Sequence, residues 1–412
     1  MYTVWIELPL IVISAPEQWT LPSILSLVIS LANISPFLVI ILRWKLDERF
    51  SEIPFIYSII VVGIVACFSI GLFWNVTVFI FDKQRSLPLL ITVFSLAVLD
   101  CTSSLVFYDY MKRFKAKYLQ AMFFGEGLTA VIPTFIAIIQ GVGGEVQCLQ
   151  NNQTLTMEPV YSEPRFSVSI FFYLVTGIIC ISLSAFMILR FTSIIKLANA
   201  GHEIIKTYND ETHQMFLTAP ENNSQIRKLS LSTPNSMTKQ QYYILQIFNI
   251  INSTFLFGFL PAIITYALLP YGQKAFYYCS VLYPLAFPLA SFCAIFHPTI
   301  SIFRLVICSI FGSLICSFII FIAFQSPCPI WADTLHGAIF LISIWFFVSF
   351  ILTYVRIATG NHIKLAWKKD NGLFYVGVGV QMGIVLGAVP TYLIINVFQL
   401  LHDRHPCITY CV

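Results

Sequence analysis

Eleven polar side chains stand inside long apolar stretches of this chain: Glu7, Asn33, Asp100, Thr102, Ser103, Glu126, Gln140, Asn249, Asn252, Gln381 and Asn396. In hydrocarbon, such groups either line a path for a polar solute or hydrogen-bond one helix to another. Serine, threonine and asparagine suit the second task. Glu7, Asp100 and Glu126 suit the first, because a carboxylate away from water must be paired, protonated or wet. Gly125 and Gly127 flank Glu126, so a neighbouring backbone or a ligand can approach it closely.

The sequence holds no hydrolase elbow, phosphate-cradling glycine loop or paired-carboxylate motif, which argues against an enzyme and against an ATP-driven pump. No His/Cys spacing of a zinc site occurs, and no cofactor is expected. Cys67, Cys101, Cys180, Cys279, Cys293, Cys308 and Cys316 lie in or beside apolar runs and read as small core hydrophobes. Cys148, Cys328, Cys407 and Cys411 lie in polar gaps.

The elements that must position these residues follow from composition. The 412-residue chain is 58% hydrophobic and 10% charged, with a mean hydropathy of +0.82. Soluble domains carry roughly 25% charged residues, so this surface is built for lipid. Nucleic acid is not an expected partner, since the basic residues are scattered through short loops rather than gathered on one face. A spanning helix needs about 20 mostly apolar residues. Ten runs qualify, at 20–43, 53–74, 87–109, 118–141, 166–190, 241–269, 275–297, 300–324, 331–356 and 372–400, with a shorter one at 1–15. The expected fold is therefore all-α and polytopic, with about eleven transmembrane helices. Pro133, Pro261, Pro284, Pro288 and Pro390 fall inside runs, where they kink helices.

The gaps between runs alternate in charge. One set holds Arg43, Lys45, Arg49, Lys112, Arg113, Lys115, Lys117, Arg190, Lys196, Lys206, Arg227, Lys228, Lys239, Arg304, Arg356, Lys364, Lys368 and Lys369; the other holds Lys83, Arg85, Arg165, Lys274 and Arg404. Basic loops stay on the cytoplasmic side, so the amino terminus is expected inside and the carboxyl terminus outside. The division expected is a six-helix half at 1–190, a polar disordered loop at 191–240, a five-helix half at 241–400 and an extracellular tail at 401–412. The first helix is the weak element: thirteen residues before Ser14 make about 20 Å of helix, short of the roughly 30 Å hydrocarbon core. It reads as half a span or as the end of a longer helix. Glu7 and the lack of a basic leading region disfavour a cleaved signal peptide. Glycosylation is expected at Asn152 and Asn75, both in sequons on the outer side, and not at Asn222. Cys328, Cys407 and Cys411 also fall outside, and a Cys328–Cys407 disulfide is expected between the loop before the 331–356 run and the tail.

Particular blocks then resemble the eukaryotic riboflavin transporter family. They begin with Val4-Trp5-Ile6-Glu7-Leu8-Pro9 and Pro16-Glu17-Gln18-Trp19, and continue through Ser51-Glu52-Ile53-Pro54. They are densest at Asp100-Cys101-Thr102-Ser103-Ser104 and Phe123-Phe124-Gly125-Glu126-Gly127-Leu128. In the second half they recur at Leu269-Pro270-Tyr271-Gly272, Ser326-Pro327-Cys328-Pro329, Tyr354-Val355-Arg356 and Gln381-Met382-Gly383.

The resemblance implies a plasma-membrane carrier that moves riboflavin into cells by alternating access, without ATP or sodium. It also implies a six-plus-five fold similar to that of equilibrative nucleoside carriers and the major facilitator type. The ring of the vitamin suits aromatic walls, and its ribityl hydroxyls suit buried amides and carboxylates. The expected substrate-binding residues are Trp5, stacking on the ring; Glu7 and Glu126, hydrogen-bonding the ribityl chain or gating; and Thr102, Asn252 and Gln381 as neutral hydrogen-bonding groups. The family carries a glycine-rich half-helix ahead of the Trp5 block. It also carries amides where this chain has Phe257, Ile264 and Phe287. Such exchanges imply altered specificity or a carrier-like scaffold without transport as rivals. A multi-pass surface receptor is the rival from another class.

Overall fold

The computed structural model describes residues 2–46, 51–80, 82–111, 114, 116–141, 147–150, 157–160, 163–191, 237–296, 301–367, 372–404, 407 and 411. Helices follow the apolar runs closely: α1 (Tyr2–Ser14), α2 (Leu21–Leu31), α3 (Ile34–Leu46), α4 (Ile53–Phe73), α5 (Leu87–Met111), α6 (Ala116–Gln140) and α7 (Val168–Phe191). Beyond the central gap come α8 (Lys239–Ser253), α9 (Leu260–Leu268), α10 (Gln273–Leu282), α11 (Ala286–Phe296), α12 (Ile302–Phe324), α13 (Leu335–Ala366) and α14 (Gly372–Tyr392). Among the described residues these form ten segments long and apolar enough to cross a membrane, joined by the shorter α1. The protein is an all-α polytopic membrane protein; the strands among the described residues form two small hairpins, β1 (Val78–Ile80) with β2 (Lys83–Arg85) and β3 (Gln147–Gln150) with β4 (Met157–Val160).

Several spans are bent where the sequence demands it. Asn33 donates to the Ser30 carbonyl at 3.1 Å between α2 and α3. A π-turn, Thr254–Phe259, joins α8 to α9 just before Pro261, which sits in the first turn of α9 and has no amide hydrogen to give. Gly258 lies in that turn: a Cβ there would stand 2.5 Å from Gly387 Cα, so the two backbones cross at a contact only glycines permit. Ends are fixed locally. Thr238 accepts from the Gln241 amide and Gln241 accepts from the Thr238 amide, a capping box that starts α8. The buried Glu17 accepts from the Ser86 amide at 2.9 Å, at the start of α5.

α14 packs against α2, α5, α8 and the π-turn, so it is wedged between helices from both ends of the sequence. α6 lies on α11, α13 lies on α11 and α12, and α1 touches α6, α7 and α10. Trp5, Trp19, Phe171, Phe172, Phe276 and Trp345 belong to the main apolar cluster, while Tyr108 and Phe123 belong to a second and Tyr110 and Phe186 to a third. Phe135, Ile181, Phe303 and Leu314 project outward, as a lipid-solvated surface requires.

Two expectations are corrected. The expected Cys328–Cys407 disulfide is replaced by Cys148–Cys407 and Cys328–Cys411, each with a Cα–Cα distance of 5.7 Å. The β3–β4 hairpin brings Cys148 to the tail, a proximity that sequence separation hides. The run expected at 331–356 also does not stop at 356: α13 continues to Ala366, which carries Arg356 into the bundle, 5% exposed. Asn75 is exposed just beyond α4. Asn152, Asn222 and all of the 191–240 loop except its two ends lie outside the described residues.

Two outcomes follow. Gly258→Ala should lower the thermal midpoint of purified protein by an amount corresponding to about 1–3 kcal/mol of overpacking. Gly125→Ala, where a Cβ meets nothing within 4 Å, should leave it nearly unchanged. Non-reducing peptide mass spectrometry should recover Cys148 linked to Cys407 and Cys328 linked to Cys411; a Cys328–Cys407 peptide would restore the original pairing.

Candidate functional site

The polar residues at depth divide into those that tie helices together and those that face a common space. Asn252 is buried on α8 and accepts from the Ser309 hydroxyl of α12 at 2.6 Å. Asn249 donates to the Val376 carbonyl of α14 at 2.9 Å. Thr102 donates to Ser35 at 2.9 Å, linking α5 to α3. Asn396 donates to Ser23 at 2.7 Å. Gln140 reaches the Phe166 carbonyl at 3.1 Å. Each is an interhelix or helix-to-loop bond of the kind that replaces hydrophobic association in lipid.

Glu126 is different. It stands ten residues into α6, on a turn whose Gly127 face is pressed against α11: a Cβ there would lie 2.7 Å from Pro288 Cα. The Gly125 side is open. Its Oε1 meets Arg356 Nη2 of α13 at 2.8 Å, and the carboxylate side chain is 36% exposed while the arginine is 5% exposed. Arg356 Nη1 reaches the Tyr108 hydroxyl of α5 at 3.5 Å, and its guanidinium carbon lies 5.5 Å from the ring centre of Phe257. Arg356 Nε is buried with no acceptor among the described residues.

Rings close the space around this pair. Phe257 and Phe287 lie 6.3 Å apart at 24°, Tyr2 of α1 is 4.6 Å from Phe287, and Tyr283 is 6.5 Å from it. Tyr108 meets Phe123 edge to face at 5.6 Å. The result is one ion pair at membrane depth inside an aromatic box, built by α1, α5, α6, the π-turn, α11 and α13. Such a box suits a flat ring ligand carrying a few polar groups.

The six expected site residues therefore do not all converge. Gln381 is half of a cross-bundle contact, its amide donating to Ser104 at 2.7 Å. Thr102 and Asn252 are engaged as described above. Trp5 is 6% exposed in the main apolar cluster, and Glu7, 2% exposed, has Gln140 as its polar neighbour. Arg356 was missed because a basic residue near the end of an apolar run reads as a loop charge. The helical run Ile357-Ala358-Thr359-Gly360 that continues past it was the available signal. Of the three positions where the resemblance implied amides, Phe257 and Phe287 stack on each other, whereas Ile264 is buried in the apolar core. No group of three His, Cys, Asp or Glu side chains able to hold a metal occurs among the described residues.

The sequence profile described as solute carrier family 52, riboflavin transporter, matches residues 1–403. The chain belongs to this family. Riboflavin transporter member 3-A of Danio rerio is 32% identical, the match covering 99% of this chain and 94% of the relative. The human member 3 is 28% identical over 99% and 95%, and Riboflavin transporter rft-1 of Caenorhabditis elegans is 28% identical over 98% and 94%. As a family member, the chain is a solute carrier and not an enzyme.

The bond between α8 and α12 sets a structural test. Asn252→Ala and Ser309→Ala should each destabilise the protein, and the double variant should reveal a coupling of about 0.6–1.7 kcal/mol. Thermal unfolding of the four proteins measures it; strictly additive losses would remove Asn252 from this role and return it to the cavity.

Proposed function

We propose that this chain carries riboflavin across the plasma membrane by alternating access, as a facilitative carrier that uses neither ATP nor sodium. The observation that carries the reading is the Glu126–Arg356 pair at membrane depth, with Phe257 and Tyr108 against the guanidinium and Phe287 and Phe123 packed on those two rings. Residues so costly to bury are retained where a solute must be held. The isoalloxazine ring would lie among Phe257, Phe287 and Tyr2, with Glu126 accepting from a hydroxyl or ring N–H. Trp5, Glu7, Thr102, Asn252 and Gln381 remain proposed contributors through conformations in which the helices part. The riboflavin-transporter names of the relatives support the substrate.

The proposed orientation places the amino terminus in the cytoplasm and the carboxyl terminus outside. Taking Arg356 out of the loop count leaves seventeen basic residues against five, so the bias persists. The moving bodies would be residues 1–190 and 241–400, linked by the 191–240 loop. Glycosylation at Asn152 and Asn75 belongs to the same orientation.

A second reading, altered specificity, draws on the Phe257–Phe287 stack. Two rings offer a larger apolar face and fewer hydrogen bonds than amides would, which favours the ring of a ligand over its polyol.

Uptake of labelled riboflavin by cells expressing the chain tests both readings. Saturable uptake is expected, and Glu126→Ala should reduce it about tenfold or more at equal surface abundance. Competition by a ring-only flavin stronger than by riboflavin itself would favour the second reading. Unchanged uptake by the Glu126 variant would remove it from the site.

A further inference from the structure

The charges at the aromatic box are unequally placed. Glu126 is 36% exposed beside the open face of Gly125, and Arg356 stands behind it at 5%. The guanidinium is under-used: it makes one short bond to Glu126, a 3.5 Å contact to Tyr108, and its Nε has no acceptor among the described residues. It is held in place mainly by the carboxylate. Without that carboxylate's charge, the same guanidinium would be a strong receptor for anions, since its planar fork matches phosphate and carboxylate.

We propose that Arg356 is a specificity-determining positioning residue: paired with Glu126 it leaves the pair without net charge, so that the site takes an uncharged flavin alcohol and refuses the phosphomonoester. This rests on the flavin-carrier reading above. A phosphomonoester brings about −1.5 to −2 charges at neutral pH. To receive them Arg356 would have to release or share Glu126, setting the phosphate and the carboxylate, two like charges, beside one guanidinium. Discrimination is thus set by what the arginine is already bound to, and not by the size of the cavity.

The test compares riboflavin with flavin mononucleotide by quenching of flavin fluorescence on the purified full-length chain. The variants are Glu126→Gln, Arg356→Lys, Arg356→Gln and the double Glu126→Gln/Arg356→Gln. The wild type should prefer riboflavin strongly. Glu126→Gln should narrow that preference about tenfold or more by freeing the guanidinium for phosphate. The double variant should recover it, and Arg356→Lys should retain it. A merely structural role would weaken both ligands alike and leave their ratio fixed. If Arg356→Gln alone fails to fold, the double variant, which buries no unpaired charge, carries the comparison. A ratio unchanged in Glu126→Gln overturns this proposal while riboflavin binding stands. A wild type that binds no riboflavin overturns the carrier reading together with it.

Discussion

The ion pair between Glu126 and the buried Arg356 organises this molecule. Arg356, 5% exposed, cannot be left without its partner at that depth except at a cost of several kcal/mol, so α6 and α13 must stay neighbours whenever the guanidinium is away from water. That requirement propagates. α6 can lie close to α11 because Gly127 has no side chain to strike Pro288. The Ser291 hydroxyl, donating to the Phe123 carbonyl at 3.2 Å, holds the same seam. Tyr108 and Phe257 then occupy the sides of the guanidinium that the carboxylate does not reach.

The remainder of the bundle follows the general economy of helices in lipid. Apolar side chains gain nothing by leaving lipid for a neighbouring helix, so close backbone approach and buried hydrogen bonds decide which helices touch. Gly258 against Gly387 and Gly383 against Ser253 bring α14 onto the π-turn and α8. Asn249 and Asn252 then bind α8 to α14 and α12. A second pair, Arg43 with Asp109 at 2.9 Å, secures α3 to α5, and the arginine also lies 4.1 Å from the ring centre of Phe374 on α14. Charges in this protein are thus repeatedly backed by rings, which satisfy a guanidinium face without asking for water.

Much of this was legible beforehand, for one physical reason. Hydrocarbon forces every span to be long, apolar and helical, and that signature survives in linear order. The same logic failed at Arg356. The rule that basic residues mark loops holds for charges without partners, and Arg356 has one 230 residues away in Glu126. Glu126 itself was readable, because a carboxylate between two glycines in an apolar run has few bland explanations. The roles of Asn252 and Thr102 were not, since an amide or hydroxyl at depth looks the same whether it faces a neighbour or a cavity. Ring stacking between Phe257 and Phe287 was likewise invisible. In the linear chain they lie thirty residues apart, and only folding shows that the two rings face each other.

The two disulfides share a tail. Cys407 is bonded to Cys148, on the arm that follows α6, and Cys411 to Cys328, on the turn that precedes α13. Four residue-to-residue steps lead from Cys407 to Cys411, a reach of at most about 14 Å when stretched. Each bridge adds 5.7 Å between Cα atoms. Whatever motion the bundle undergoes, these two anchor points can never stand more than about 25 Å apart. The chain carries its own travel stop, wired covalently between the loops that succeed and precede the two helices bearing the ion pair.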